Sequence, residues 1–361
     1  MKQSITKAQL FFLIIKTQIG IGLLSLPSEM QHITKGDSWI SVIVAGLVIQ
    51  LVLVVYGKLL VKFPNETLSD ITIRILGRYP GKAVNCVYYV FFVLIAAYAT
   101  MLYVRLIKSW MLTLTPPWIL FLLIIGTSLY LALDNLRVIA RFFVLTSLLF
   151  IVLILISLLN FSNEVHLSYI MPVGQASVLT IFKGSERTFF AMLGFEITLY
   201  FFSQVDGGRK GIFGVISLAN GFVTLFYAYF VFICLIGFSP KVLEQVNEPV
   251  LFLLKGLTYQ LFDRLDLIFL TIWIIPMTAT IVSYLCLAGK SLTAKQSSYR
   301  KLVWFSAGSV FAIGWYLSTL ESTELVGKWF EYGYLIMIAA VPALLWFGSL
   351  LIKDGRGAEA T

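Results

Sequence analysis

Windows of about twenty apolar residues recur roughly ten times along this chain. No other feature restricts the fold as much. Within hydrocarbon a polypeptide must satisfy its own backbone hydrogen bonds, which leaves helices and closed barrels, and windows of this length are helices. The expected spans run from about Ala8 to Met30, Trp39 to Val61, Gly81 to Leu112, Pro116-Pro117 to Asp134 and Val138 to Leu159. After a polar stretch from Asn160 to Gln175, five more follow at about Ser177 to Ser203, Gly211 to Phe238, Leu265 to Ala288, Leu302 to Leu320 and Leu325 to Ile352. Residues 1–160 then form a first five-helix repeat, 161–175 an outer connecting loop, 176–352 a second repeat and 353–361 a cytoplasmic tail. Five spans per set is an odd number, so the second set inserts upside down relative to the first. That is the topology of an inverted repeat.

Composition agrees. Of 361 residues, 59% are hydrophobic and 12% charged, too apolar for a soluble core to hide. The net charge of +9 is dispersed through short loops, so it reports orientation and not a nucleic-acid surface. Lys2, Lys7, Lys58 to Lys82, Arg137, Arg141, Arg209, Lys210, Lys290 to Lys301, Lys353 and Arg356 fall on one side. Asp37, Glu164, Glu244, Glu248, Glu321 and Glu324 fall on the other. Both termini are therefore expected in the cytoplasm. Lys16 interrupts the first apolar run and no small-residue cleavage site follows, so that run reads as a retained helix. Cys86, Cys234 and Cys286 lie in apolar spans without metal-ligand or disulfide spacing and read as buried packing residues. There is no P-loop and no H-E-x-x-H, and His32 and His166 lie in outer loops, which argues against an enzyme, a cofactor or a metal site.

Two spans are interrupted, and each opens one half of the chain. In Thr17-Gln-Ile-Gly-Ile-Gly-Leu-Leu-Ser-Leu-Pro27, Gly20 and Gly22 lower the cost of leaving helical geometry, and Pro27 cannot donate to the carbonyl of Leu23. In Met192-Leu-Gly-Phe-Glu-Ile-Thr198, Gly194 and Glu196 stand where hydrocarbon expects an unbroken apolar helix. Backbone freed at such points needs protein, water or ligand to satisfy it, and paired interruptions at matching positions point to a solute site near the midplane. Glycines that serve close helix packing are the alternative. Glu196 can contact a ligand amine, carry a proton, or hold the broken helix by bonding freed amides. Lys183, Glu186, Arg187, Arg105 and Lys108 read as snorkelling or locally paired charges, and the long stem of Lys16 can reach the inner interface. Tyr98, Thr100 and Tyr103 of the third span, and Thr278, Thr280 and Ser283 around Pro276 of the eighth, are candidates for a cavity wall, with back-bonding to their own helices as the plainer reading. Two short amphipathic segments complete the outline. Thr67 to Arg78 carries a stripe of Leu68, Ile71 and Ile75 suited to the inner surface, and Val250 to Leu254, after Glu248-Pro249, suits an outer helix or lid.

The Gly20-Ile-Gly-Leu-Leu-Ser-Leu-Pro27 stretch resembles the glycine-rich opening helix of the amino acid–polyamine–organocation transporter superfamily, and Leu193-Gly-Phe-Glu196 resembles its sixth helix. With Trp273-Ile-Ile275 entering the eighth span and a length of 361 residues, the whole chain resembles the B subunits of the Ger-type nutrient receptors of bacterial endospores. The resemblance implies an all-α, leucine-transporter-like bundle of about ten helices, a five-plus-five inverted repeat with broken first and sixth helices. It also implies a place in the inner spore membrane, sensing an amino-acid-like germinant with an A subunit and a lipoprotein C subunit. By the same analogy Gly20, Ile21 and Gly22 form a backbone cradle opposite Leu193, Gly194 and Phe195, with Tyr98, Thr278 and Ser283 as side-chain contacts. A ligand carboxylate then suits the freed amides and its ammonium the freed carbonyls. The competing reading is an amino acid symporter driven by protons or sodium. The fifth span has no ionisable residue between Phe142 and Leu159, against the lysine that replaces sodium in some proton-coupled relatives.

Overall fold

The computed structural model describes residues 4–162, 165–206, 211–256, 264–293, 295–320, 327, 330 and 333–351. Glu164, Arg209, Lys210, Glu321, Glu324 and the 353–361 tail lie outside the described residues, so the charge pattern they belong to rests on the sequence.

Among the described residues every regular element is a helix, apart from one isolated bridge. The first span is split into α1 (Lys7–Gln18) and α2 (Gly22–Thr34), and α3 (Ser38–Lys62) is the second. A short α4 (Leu68–Leu76) leads into α5 (Arg78–Trp110), the long third span, followed by α6 (Pro117–Ala132) and α7 (Leu136–Leu158). The sixth span is again split, into α8 (Val178–Ala191) and, after a 3-10 turn at Phe195–Ile197, α9 (Thr198–Phe201). Then come α10 (Ile212–Gly237), two outer helices α11 (Pro240–Gln245) and α12 (Pro249–Lys255), α13 (Leu265–Leu292) and α14 (Gln296–Ser318). A π-helical stretch, Leu335–Ala340, runs into α15 (Val341–Leu351).

Five stretches are long and apolar enough to cross a membrane by themselves: Gly22–Lys62, Arg78–Trp110, Leu136–Phe161, Ile212–Gly237 and Leu265–Leu292. The other expected spans miss that test for identifiable reasons. The first and sixth are cut into helices of 12, 13 and 14 residues, α6 has 16, and α14 starts on the polar run Gln296–Lys301. α5 lies at the centre, 72% of its apolar window being buried, packed against α13 and α14; α7 is peripheral at 28%. α1 packs on α7 and α10, and α3 packs on α8 and α10.

Several details depart from the sequence reading. The first span breaks at Ile19–Ile21, and α2 continues through Pro27 without interruption. Lys16 does not reach the interface: it is fully buried, its Nζ donates to Thr146 O on α7 at 2.9 Å, and it stacks 4.1 Å from the Phe150 ring. A desolvated ammonium needs such acceptors, and the ring face supplies one. Arg105 does more than snorkel, donating to Leu320 O at 2.8 Å and so capping the carbonyl end of α14. Cys86 is exposed on α5, whereas Cys234 and Cys286 are buried. The stripe of α4 packs on α5, α13 and α15, so protein covers Leu68 and Ile71. Asp37 joins the halves: its carboxylate accepts from Gly174 N at 2.7 Å and Ala176 N at 2.8 Å.

Candidate functional site

The first break is built from the end of one helix and the start of the next. Ile19 closes α1 by donating to Ile15 O, then turns to extended geometry (φ −83°, ψ 97°). α2 restarts as Leu23 N donates to Gly20 O at 3.3 Å and Leu24 N to Ile21 O at 3.1 Å. A helix interrupted here leaves carbonyls without their usual partners. Tyr227 of α10 answers one of them, its O–H lying 3.0 Å from Gln18 O and 2.8 Å from Ala191 O, so one hydroxyl serves both breaks. Thr280 Oγ1 of α13 bonds back to Pro276 O at 3.2 Å and stands 3.4 Å from Lys16 O and 3.5 Å from Thr17 O.

The second break is held by its own Glu196 and, from outside, by Tyr227 and by Gln18, whose Nε2 donates to Met192 O at 3.2 Å. Gly194 has φ +122°, where side chains are strained, and a Cβ there would lie 2.5 Å from the carbonyl carbon of Thr17 and 2.7 Å from Gln18 N. The two breaks therefore cross backbone to backbone. Glu196 is fully buried; Oε2 accepts from Gly194 N at 2.9 Å and Oε1 from Tyr284 O–H at 2.8 Å. Of the three roles open to this carboxylate, the geometry is that of holding the broken helix through a freed amide. Buried tyrosines surround it: Tyr56 and Tyr88 donate to Ile338 O and Met337 O, both at 2.6 Å, tying α3 and α5 to the π-helical stretch before α15.

Between the breaks lies a cavity of about 500 Å³. Gln18, Gly20, Ile21 and Gly22 form one wall and Ala191 and Leu193 another. α5 contributes Ile95, Tyr98 and Ala99, while α13 contributes Met277, Thr280 and Tyr284. Tyr98 packs against Phe330, ring centroids 4.9 Å apart, and Ser25, Glu29 and Arg187 line the part reached by the second turn of α2. An apolar pocket with a few convergent polar groups is what a small-molecule site looks like.

Of the residues singled out from sequence, Gly20, Ile21, Gly22, Tyr98, Leu193 and Thr280 lie on this wall. Gly194 stands behind it in the backbone crossing, and Phe195 is buried against Phe189 and Tyr56 at 5.7 and 6.0 Å. Thr278 bonds back to Ile274 O at 2.9 Å. Ser283 bonds to Ala279 O at 2.9 Å and meets Thr17 Oγ1 at 2.8 Å, behind the cavity. Gln18 and Tyr227 were not singled out. A glutamine two residues before the first glycine was a visible signal, since amides are costly in hydrocarbon; Tyr227 sits in an unbroken aromatic helix and carried none. α12 packs on α2, α10 and α13, and none of its described residues lines the cavity.

This architecture is that of solved transporters. MhsT, in a structure titled as its complex with L-phenylalanine, superposes with a TM-score of 0.70 over 96% of this chain and 89% of that one, at 13% identity. A Na+-coupled sialic acid symporter in a substrate-bound outward-open state gives 0.61 over 96% and 78%, at 12% identity. The chain thus has the leucine-transporter-like fold, a polytopic bundle with broken first and sixth helices. The family model described as spore germination protein matches residues 4–319, and the chain belongs to that family. Relatives match from end to end at low identity: GerQB of Bacillus cereus at 23% over 356 residues, 96% of both chains. Spore germination protein B2 of Bacillus subtilis is 22% identical over 367 residues, 99% of this chain and 98% of that one.

Proposed function

We propose that this chain is the nutrient-sensing subunit of a spore germinant receptor. It holds a small amino-acid-like ligand between its two helix breaks, near the bilayer midplane, and passes the signal to an A subunit and a lipoprotein C subunit. It does so in the spore inner membrane, with both termini cytoplasmic as the lysine and arginine distribution suggests. The observation that carries the reading is the convergence of both breaks on one cavity, with Gly20 to Gly22 on its wall. A ligand carboxylate would sit at the amide end of α2, where Leu23 N and Leu24 N already donate to Gly20 O and Ile21 O and the helix dipole favours the negative charge.

The test is a nutrient panel applied to the chain co-purified with its partner subunits. A ligand stabilises in proportion to the logarithm of its excess over Kd, so a reproducible rise in the unfolding midpoint for some amino acids and not others is expected. No shift across the panel would count against a binding subunit.

Symport driven by sodium or protons is the second reading. It is favoured by Thr280 and Ser283 of α13, which face the carbonyl end of α1 and the Thr17 hydroxyl, the kind of oxygen cluster a sodium ion requires. Purified protein in liposomes would then accumulate a labelled amino acid under an imposed ion gradient, and absence of uptake for every panel member removes this reading.

A further inference from the structure

The charged residues of the cavity wall stand apart from the helix breaks. Gly22 opens α2 beside Ala191, the last residue of α8, a Cβ built on it falling 3.0 Å from Ala191 Cβ. Further along, Thr188 Oγ1 lies 3.5 Å from Met30 Sδ, so α2 and α8 run antiparallel and carry Glu29 and Arg187 to the same end of the cavity. From Gly22 to Glu29 the helix rises about 10 Å. A fully extended lysine side chain reaches about 6 Å from its Cα. An amino acid whose head group lies at the breaks therefore cannot bring a side-chain charge to Glu29 or Arg187.

The wall it does meet is apolar. α5 turns Ile95, Tyr98, Ala99 and Leu102 to the cavity, a spacing of three and four residues that marks one helical face. Phe190 and Leu193 approach from the second break and Met277 from α13, while the Tyr98 ring packs on Phe330 with centroids 4.9 Å apart. Between Gly22 and Glu29 the lining face of α2 offers one polar side chain, Ser25. The hydroxyls level with the breaks are engaged elsewhere, Thr280 with Pro276 O at 3.2 Å and Tyr284 with Glu196 at 2.8 Å. At about 30 Å³ for each water-sized group, a cavity of about 500 Å³ is also large for the smallest amino acids.

We propose that the ligand is an amino acid with a large apolar side chain, of the size of leucine, methionine or phenylalanine, which lies along the α5 face with its head group at the breaks. The proposal rests on the cavity being the nutrient site. Ala99 is the specificity-determining residue, because its small side chain leaves the room between Ile95 and Leu102 that the ligand fills. Each methylene taken out of water there tightens binding by about fourfold. A charged side chain in the same place gives up its hydration and gains no partner, so it is rejected.

The test is a series of ligands that differ by one methylene. The receptor complex, co-purified with its partner subunits, is titrated with the proteinogenic amino acids and with 2-aminobutyrate, norvaline and norleucine, following thermal unfolding. From alanine to norleucine the affinity is expected to rise by about threefold or more at each step. Lysine, which has the norleucine stem ending in an ammonium group, is expected to bind at least about tenfold more weakly than norleucine. Ala99→Leu fills the α5 face and should bring norleucine to within about threefold of alanine. Ala99→Val makes the same change in smaller measure and should lower the norleucine-to-alanine ratio if Ala99→Leu does not fold. A flat or falling series in the wild type, lysine or glutamate binding more tightly than norleucine, or an unchanged series in a folded Ala99 variant overturns the apolar subsite while the nutrient site stands. No stabilisation of the wild type by any amino acid removes the nutrient site itself, and this proposal with it.

Discussion

The two helix breaks perform the same topological task by opposite means. At the first, the residue leaving α1 adopts ordinary extended geometry, and a Cβ built on Gly20 meets nothing nearer than 3.7 Å. Of its freed carbonyls, Gln18 O is reached from outside by Tyr227 of α10, whose hydroxyl also reaches Ala191 O at the end of α8. At the second, Gly194 takes a positive φ, its amide is held by Glu196 two residues on, and a Cβ built on it would fall 2.5 Å from the Thr17 carbonyl carbon. The first break is defined by the cavity it faces, the second by the backbone it is pressed against. If the cavity holds a ligand as proposed, adjustment on binding falls to the first break, with the second as its fixed support.

Gly194 offers the most direct way to break this contrast. In Gly194→Ala the strained φ alone costs about 1–3 kcal/mol, and a methyl 2.5 Å from the Thr17 backbone has no side chain to displace. The expected outcome is loss of most folded protein, read as the monodisperse fraction after detergent extraction and as the unfolding midpoint. A stable Gly194→Ala protein would show that the crossing is loose. Glu196 comes next. Glu196→Ala leaves the Gly194 N–H and the Tyr284 O–H buried without acceptors, at about 1–3 kcal/mol each. Glu196→Gln keeps one acceptor oxygen and should recover part of that loss. If Glu196→Gln matched the parent in stability yet abolished the nutrient response, the carboxylate would act through its charge and not as a helix support.

Gly22 sharpens the comparison from the first break. A Cβ there lies 3.0 Å from Ala191 Cβ and 3.1 Å from Ala191 Cα, a tight contact with the last residue of α8. Overpacking of this size costs about 1 kcal/mol or more, against which the loss of glycine freedom returns about 0.4–1 kcal/mol. Gly22→Ala should therefore be slightly destabilised, and Gly22→Ala with Ala191→Gly should recover, with a coupling of about 0.5 kcal/mol or more in a double-mutant cycle. Additive effects would mean that the breaks do not touch at this point.

Much of this could be read before any coordinates, and the parts that could not share a cause. Span positions, the two breaks and the short helices α4 and α12 are written in local pattern: apolar windows, glycines, and proline at a helix start. Gly20 to Gly22, Tyr98 and Leu193 follow from that pattern together with the family likeness. What escapes local pattern is anything decided by a neighbour more than a hundred residues away. Lys16 looked free to reach the interface because its acceptor, Thr146 O, is 130 residues on. Thr278 and Ser283 look alike on one helix, yet only Ser283 meets the first span, because the rotation of α13 sets which hydroxyl faces Thr17. Phe195 adjoins Gly194, but the positive φ turns the chain and sends its ring into the aromatic core.

Gly20 gives the smallest expected effect on stability and for that reason the cleanest separation of support from site. With Thr280 Oγ1 as its nearest neighbour at 3.7 Å, a methyl group at this position makes ordinary van der Waals contact. Gly20→Ala should leave the unfolding free energy within about 0.5 kcal/mol of the parent. The methyl group nevertheless adds to the cavity wall, where a single methylene changes ligand discrimination by roughly 1–3 kcal/mol. The nutrient dose response of spores carrying Gly20→Ala should therefore shift while the protein remains as stable as before. If stability fell instead, the first break would be wedged like the second; if neither quantity moved, the ligand would not reach Gly20, and the contrast between a break that faces a ligand and one that supports it would fail at its first term.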